Sequence, residues 1–172
     1  MNYFDVNNIP EVNLDSISIT HNGSTLEMKW NDKLWMLEDE TRYIEKYAYS
    51  LISLDSDNPI SVLLGGLGMG TIAEYLIANK NITKLDVLES NLDLTNWTVN
   101  SGHLNPLINI IEADATSYTP TQTYDLIIMD LWFPREDRIS SEVPDMKAKY
   151  IPHLNSGGTL YIPIDTYLHT ID

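Results

Sequence analysis

Cysteine is absent from the 172-residue chain. That excludes a disulfide framework, a thiolate metal site and a cysteine nucleophile. Basic residues are scarce: 10 Lys and Arg stand against 25 Asp and Glu, a formal charge of −15. Binding a nucleic-acid backbone needs clustered Lys and Arg, so no nucleic-acid partner is expected. An acidic surface serves solubility and also attracts cationic small molecules such as amines. Long apolar runs are missing as well; none approaches the roughly 20 residues that span a bilayer, so no membrane partner is expected. The first residues, Met1-Asn2-Tyr3-Phe4-Asp5, lack the basic region and apolar core of a secretory signal, which makes the cytoplasm the expected compartment. His21, His103, His153 and His169 show no metal-ligand spacing, and no metal is expected. No serine sits in a nucleophile-elbow sequence.

What is present is a pattern in two parts. Residues 1–15 show no clear period and read as a loose arm. Ile17-Ser18-Ile19-Thr20 alternates as a half-buried strand does. An Asn22-Gly23 turn signal follows, then strands over Thr25 to Trp30 and Lys33 to Leu37. These form a small antiparallel meander. Ile44, Tyr47, Ala48, Leu51 and Ile52 then mark one face of a helix from about Thr41 to Leu54, with Tyr43 and Tyr47 on it as packing groups. From Ile60 onward strands and helical patterns alternate. Strands are expected over Ile60 to Leu64, Lys84 to Glu89, Ile108 to Ile111, Tyr124 to Met129 and Thr159 to Pro163. Helices are expected over Thr71 to Asn79, Leu92 to Asn100 and, weakly, Met146 to Leu154. Such alternation implies crossover units and a mainly parallel sheet. The fold class is therefore α/β, a Rossmann-like sheet with flanking helices preceded by the meander. The division is 1–38 for the arm and meander and 39–172 for the Rossmann part.

The stretch Val62-Leu63-Leu64-Gly65-Gly66-Leu67-Gly68-Met69-Gly70-Thr71 carries the strongest signal. An apolar strand runs into clustered glycines and then a helix, the arrangement that brings a nucleotide-type ligand against the main chain. A tight strand–helix packing turn is the other reading. In a parallel sheet, ligands bind beyond the carboxyl ends of the strands, so the residues after each strand are the candidates. Glu89 follows the second strand, about 20 positions beyond the glycine loop, where a carboxylate can accept from both ribose hydroxyls. Asp114 and Ala115 follow the third, suited to an adenine amine and ring edge. Asp130 follows the most apolar strand, where it can bind or deprotonate an amine or stabilise a sulfonium. Each carboxylate has a plainer alternative as a solvated or capping strand-end group. Trp132 and Phe133 can wall an acceptor pocket, or serve as core or interface.

The order of these features resembles the spermidine synthase family: a β-meander, Asp39-Glu40-Thr41-Arg42-Tyr43-Ile44, the glycine loop, Glu89, Asp114-Ala115 and Asp130. The resemblance extends over about residues 17–163. It implies an N-terminal β-domain joined to a class I methyltransferase-like Rossmann domain. It also implies that Gly66, Gly68 and Gly70 approach the amino-acid portion of an S-adenosyl donor, Glu89 holds the ribose, and Asp114 with Ala115 holds the adenine. Asp130 stands at the family's catalytic aspartate, which positions and deprotonates the attacking amine. Two positions depart: Gly68 and Phe133 occupy places where the family has carboxylates for the aminopropyl amine and the diamine. The chain also ends soon after the fifth strand, where the family continues with further helices and strands.

Three functions stand on this reading. The first is a transferase that takes S-adenosylmethionine or its decarboxylated form and moves a methyl or aminopropyl group to a small amine-bearing acceptor. The second is a non-catalytic relative that binds an adenosyl ligand or assembles with other proteins. A nicotinamide-dependent reductase comes third, for want of a hydride-accepting substrate site. An uncovered sheet edge beyond the fifth strand is expected to be buried by a homo-oligomer, most simply a dimer. Light scattering at micromolar concentration is expected to show that oligomer, and a stable monomer would count against it.

Overall fold

A computed structural model describes residues 5–37, 58–131, 136–162 and 167–170. The expected helix over 41–54 lies outside the described residues, as do Trp132 and Phe133. Among the described residues ten strands form two sheets. The first is antiparallel, with β1 (Val12–Asn13), β2 (Ile17–Asn22), β3 (Thr25–Trp30) and β4 (Lys33–Leu37) in sequence order. The second contains β5 (Ile60–Gly65), β6 (Ile82–Glu89), β7 (Ile108–Glu112), β8 (Tyr124–Met129), β9 (Leu154–Ile162) and β10 (Tyr167–Thr170). Its spatial order is β10-β9-β8-β5-β6-β7. Five strands are parallel, and β10 is antiparallel to β9. The chain builds outward from β5 to β7 and then returns to β8 on the other side of β5. Strand order therefore reverses between β5 and β8, which opens a crevice at their carboxyl ends.

Both faces of the central strands are apolar because both are covered by helices. Val62, Leu64, Leu85, Val87 and Leu126 pack with Ile72, Tyr75 and Leu76 of α1 (Thr71–Asn79). Leu63, Leu88, Ile127 and Leu160 pack on the opposite face with Val143, Met146 and Tyr150 of α3 (Glu136–Tyr150). The meander is not an appendage. Ile17, Ile19, Leu26 and Met28 form one core with Met69 of the glycine loop and with Leu94 and Trp97 of α2 (Leu92–Ser101).

Four sequence expectations are corrected. The arm is not loose over its described part: Val6 and Ile9 are buried in the meander core, and Trp97 Nε1 donates to the Pro10 carbonyl at 3.0 Å. Val6 and Ile9 stand among Asn and Asp residues and set up no strand or helix period, which hid the segment. The weak helix over 146–154 lies earlier, at 136–150, and a 3-10 turn over Ile151–His153 holds Pro152 at its start. β9 begins at Leu154 rather than Thr159; Gly157 at φ +77° sits where the register against β8 shifts, so the glycine pair bends a strand instead of ending one. Lastly, Thr159 to Ile162 is not the last stretch of strand: β10 follows and pairs antiparallel with those residues of β9. The four residues of β10 are too short a run to read as a strand.

One buried polar network ties the second sheet together. Asp86 of β6 is almost fully buried. Asn109 Nδ2 donates to Oδ1 at 2.8 Å; Gln122 Nε2 at 2.9 Å and the Tyr124 hydroxyl at 2.7 Å donate to Oδ2, and Lys84 Nζ lies 3.2 Å away. Burial pushes this carboxyl up, and the donors from Asn109, Tyr124 and Lys84 outweigh it, leaving it below the ordinary aspartate value. Asp125, held by Ser61 and Asn155, is lowered in the same way against a smaller burial. A depressed folded value means the contribution to stability is present above the ordinary aspartate range and lost as pH falls through the folded value. Asp86→Ala is expected to destabilise by about 3 kcal/mol at neutral pH, since the buried Tyr124 hydroxyl loses its acceptor and the part-buried bonds from Asn109 and Gln122 are lost with it. The deficit in denaturant titrations should shrink as the pH is lowered; a deficit independent of pH would overturn this assignment.

Candidate ligand site at the strand carboxyl ends

β5 and β8 end side by side. Gly65 is in register with Met129, and the Asp130 N–H donates to the Gly65 carbonyl at 3.0 Å. Gly66 follows with φ +91°, its N–H donating to the Leu88 carbonyl at 2.9 Å, and a Cβ there would run into the Asp130 carbonyl oxygen. Two main chains thus pass in close contact at the crevice, and only glycine fits. Beyond them lies a cavity of about 390 Å³. Gly66, Gly68, Glu89, Asp114, Ala115 and Asp130 all line it. Gly70 does not. It stands at the start of α1 with φ +85°, and a Cβ on it would strike the Leu104 side chain, so its glycine serves packing and the turn into the helix.

The site is built from several strands. Glu89 ends β6 with its carboxylate fixed by two main-chain donors, Leu67 N–H to Oε2 at 3.1 Å and Asn91 N–H to Oε1 at 2.8 Å. It thereby joins the glycine loop to the cap of α2, where Asn91 Oδ1 accepts from Leu94 N–H at 2.9 Å. Asp114 is exposed and closes its own turn, accepting from the Thr116 N–H and hydroxyl at 2.8 Å each. Asp130 is buried beside the crevice. The described lining contains three carboxylates and no Lys or Arg, so it favours a ligand carrying positive charge. Among the described residues no group of three or more His, Asp or Glu is placed to hold a metal ion.

Supporting residues that sequence reading missed come from farther away. The buried Tyr150 hydroxyl donates to the Ala115 carbonyl at 2.6 Å, and Lys149 Nζ donates to the Thr116 carbonyl. The last turn of α3 therefore clamps the 113–117 loop. Burial raises the Tyr150 phenol, which stays protonated and able to donate. His103 pairs through Nε2 with the Met69 carbonyl at 3.1 Å; burial lowers its imidazole, only partly offset by that carbonyl, so it braces the glycine loop in neutral form. From the meander, Ile17, Met28, Trp30 and Met36 form an apolar wall. No local motif marks any of these, because each acts through a partner distant in the chain.

No family model and no curated protein matches the sequence. Solved structures do match the fold. Spermidine synthase from Thermotoga maritima aligns with a TM-score of 0.64 at 20% identity, over 90% of this chain and 56% of its own. A probable spermidine synthase from Corynebacterium glutamicum ATCC 13032 aligns with a TM-score of 0.62 at 16% identity, over 89% of this chain and 62% of its own. An S-adenosylmethionine-dependent methyltransferase from Clostridium acetobutylicum ATCC 824 aligns with a TM-score of 0.54 at 16% identity, over 70% of this chain and 49% of its own. The chain thus spans between 49% and 62% of the length of these three. Its fold is that of the class I S-adenosylmethionine-dependent methyltransferases and spermidine synthases.

Gly66 and Gly23 separate backbone conformation from close approach, since both have positive φ but Gly23 has nothing within 4 Å of its would-be Cβ. Gly23→Ala is expected to cost about 1 kcal/mol, and Gly66→Ala more than about 2 kcal/mol. Thermal unfolding of both variants checks this; equal losses would show that the Asp130 contact does not constrain the loop.

Proposed function

We propose that the chain is a transferase that binds an S-adenosyl donor and acts on a small amine-bearing acceptor. The observation that carries this reading is the convergence of Gly66, Glu89, Asp114 and Asp130, each at the end of a different strand, on one acidic cavity at the sheet's switch point. The order along the strand ends fits the group: a turn with Asp114 and Ala115 after β7, Glu89 at the end of β6 beside the glycine loop, and buried Asp130 after β8. A sulfonium and an amine both suit carboxylate surroundings without a basic neighbour. When bound, the donor supplies a carbon made electrophilic by its neighbouring sulfonium.

The chain's own part is positioning and proton transfer. Glu89 accepts from the ribose while keeping the glycine loop in place through Leu67. Asp130 orients the acceptor amine and takes its proton as the new bond to carbon forms, the carbon–sulfur bond breaking with its electron pair left on sulfur. Trp132 and Phe133, two and three residues beyond Asp130, are proposed to line the acceptor side. Whether the group moved is methyl or aminopropyl follows from the donor, S-adenosylmethionine or its decarboxylated form.

Calorimetry with S-adenosylmethionine, its decarboxylated form and S-adenosylhomocysteine tests the reading. Binding of at least one is expected; binding of none would sink it. Glu89→Ala is expected to weaken binding at least about tenfold. Asp130→Asn is expected to lower turnover by roughly 100-fold or more with little change in donor affinity. Unchanged turnover would remove Asp130 from its role, and donor binding without product across a panel of amines would assign the chain to a non-catalytic binding module.

A further inference from the structure

One wall of the cavity comes from outside the parallel sheet. Met36 of β4 reaches over the glycine loop, and its Sδ and Cε lie 3.0 and 3.3 Å from where a Cβ on Gly68 would stand. Both residues line the cavity. A longer side chain at position 68 and Met36 in its present place compete for the same volume. Met36 is anchored as well, packing against the core that joins the meander to Leu94 and Trp97.

The order of the strands says which part of a ligand Met36 meets. Along the carboxyl edge, Asp114 follows β7, Glu89 ends β6, Gly66 and Gly68 follow β5, and Asp130 follows β8. Met36 lies over the β5 stretch, between Glu89 and Asp130. If adenosine lies toward Asp114 and Glu89, as the function proposed above requires, the sulfur and its neighbouring carbons lie beneath Met36. A long apolar side chain suits that place: it asks for no hydrogen bond and fills irregular apolar surface. We propose that Met36 is a positioning residue for the sulfur end of an adenosyl ligand; glycine at position 68 is called for by its φ of +53°, and Met36 packs in the space beside it. The meander is then part of the donor site rather than a separate recognition domain.

This inference rests on the adenosyl reading, and one set of titrations separates the two. S-adenosylhomocysteine is titrated by calorimetry, and adenosine by competition against it, for the wild type, Met36→Ala and Met36→Leu. Met36→Ala is expected to weaken S-adenosylhomocysteine about tenfold and to leave adenosine within about twofold. Met36→Leu conserves volume and is expected to restore the loss, which guards against an effect of poor folding. Equal weakening of both ligands, no rescue by leucine, or no weakening at all would overturn the role of Met36 while leaving the adenosyl reading standing. Failure of the wild type to bind any of S-adenosylhomocysteine, S-adenosylmethionine, its decarboxylated form and adenosine would overturn both.

Discussion

The close passage of two main chains at the ends of β5 and β8 governs the rest of the molecule. Asp130 N–H bonds to the Gly65 carbonyl, and the Asp130 carbonyl lies against the Gly66 α-carbon with no room for a side chain. This contact exists because the chain builds β5, β6 and β7 in one direction and then returns to β8 on the other side. The helices after β5 and β8 leave on opposite faces of the sheet, α1 packing in one core and α3 in the other. The crevice between them is therefore left open where the strands end. Into it face a main-chain cradle and a carboxylate.

A crevice alone is not a binding site, and the surrounding elements close it. Glu89 links the glycine loop to the start of α2 through Leu67 and Asn91. Tyr150 and Lys149 hold the loop after β7 from the end of α3. His103 braces Met69 from behind. The meander supplies the remaining wall, and its core continues into α2. The glycine loop and the loop after β7 are thus each held by groups from other elements, which fixes the shape of the site.

The strand-end residues are legible in the sequence, and three features are not. Gly66, Gly68, Glu89, Asp114, Ala115 and Asp130, all of which line the cavity, stand out because strand ends in a parallel sheet open onto the crevice and strands announce themselves through short apolar runs. Gly70 was read alongside the other glycines, yet its neighbour is Leu104, which nothing in the local sequence indicates. Val6 and Ile9 were read as loose because single apolar residues have no period. The glycine pair at 157–158 was read as a turn before a strand, although β9 runs through it with a register shift.

The sequence by itself determined the alternation of strands and helices, the antiparallel opening, the acidic balance and the strand-end carboxylates. These depend on periodicity, turn chemistry and composition, which act over a few neighbouring residues. Only the tertiary structure decided that Met36 stands over Gly68, that Tyr150 grips Ala115, and that Asp86 collects donors from Asn109, Gln122 and Tyr124. Those pairings depend on strand order and on which face each side chain takes once the sheet forms, and residues far apart in the chain carry no local mark of meeting.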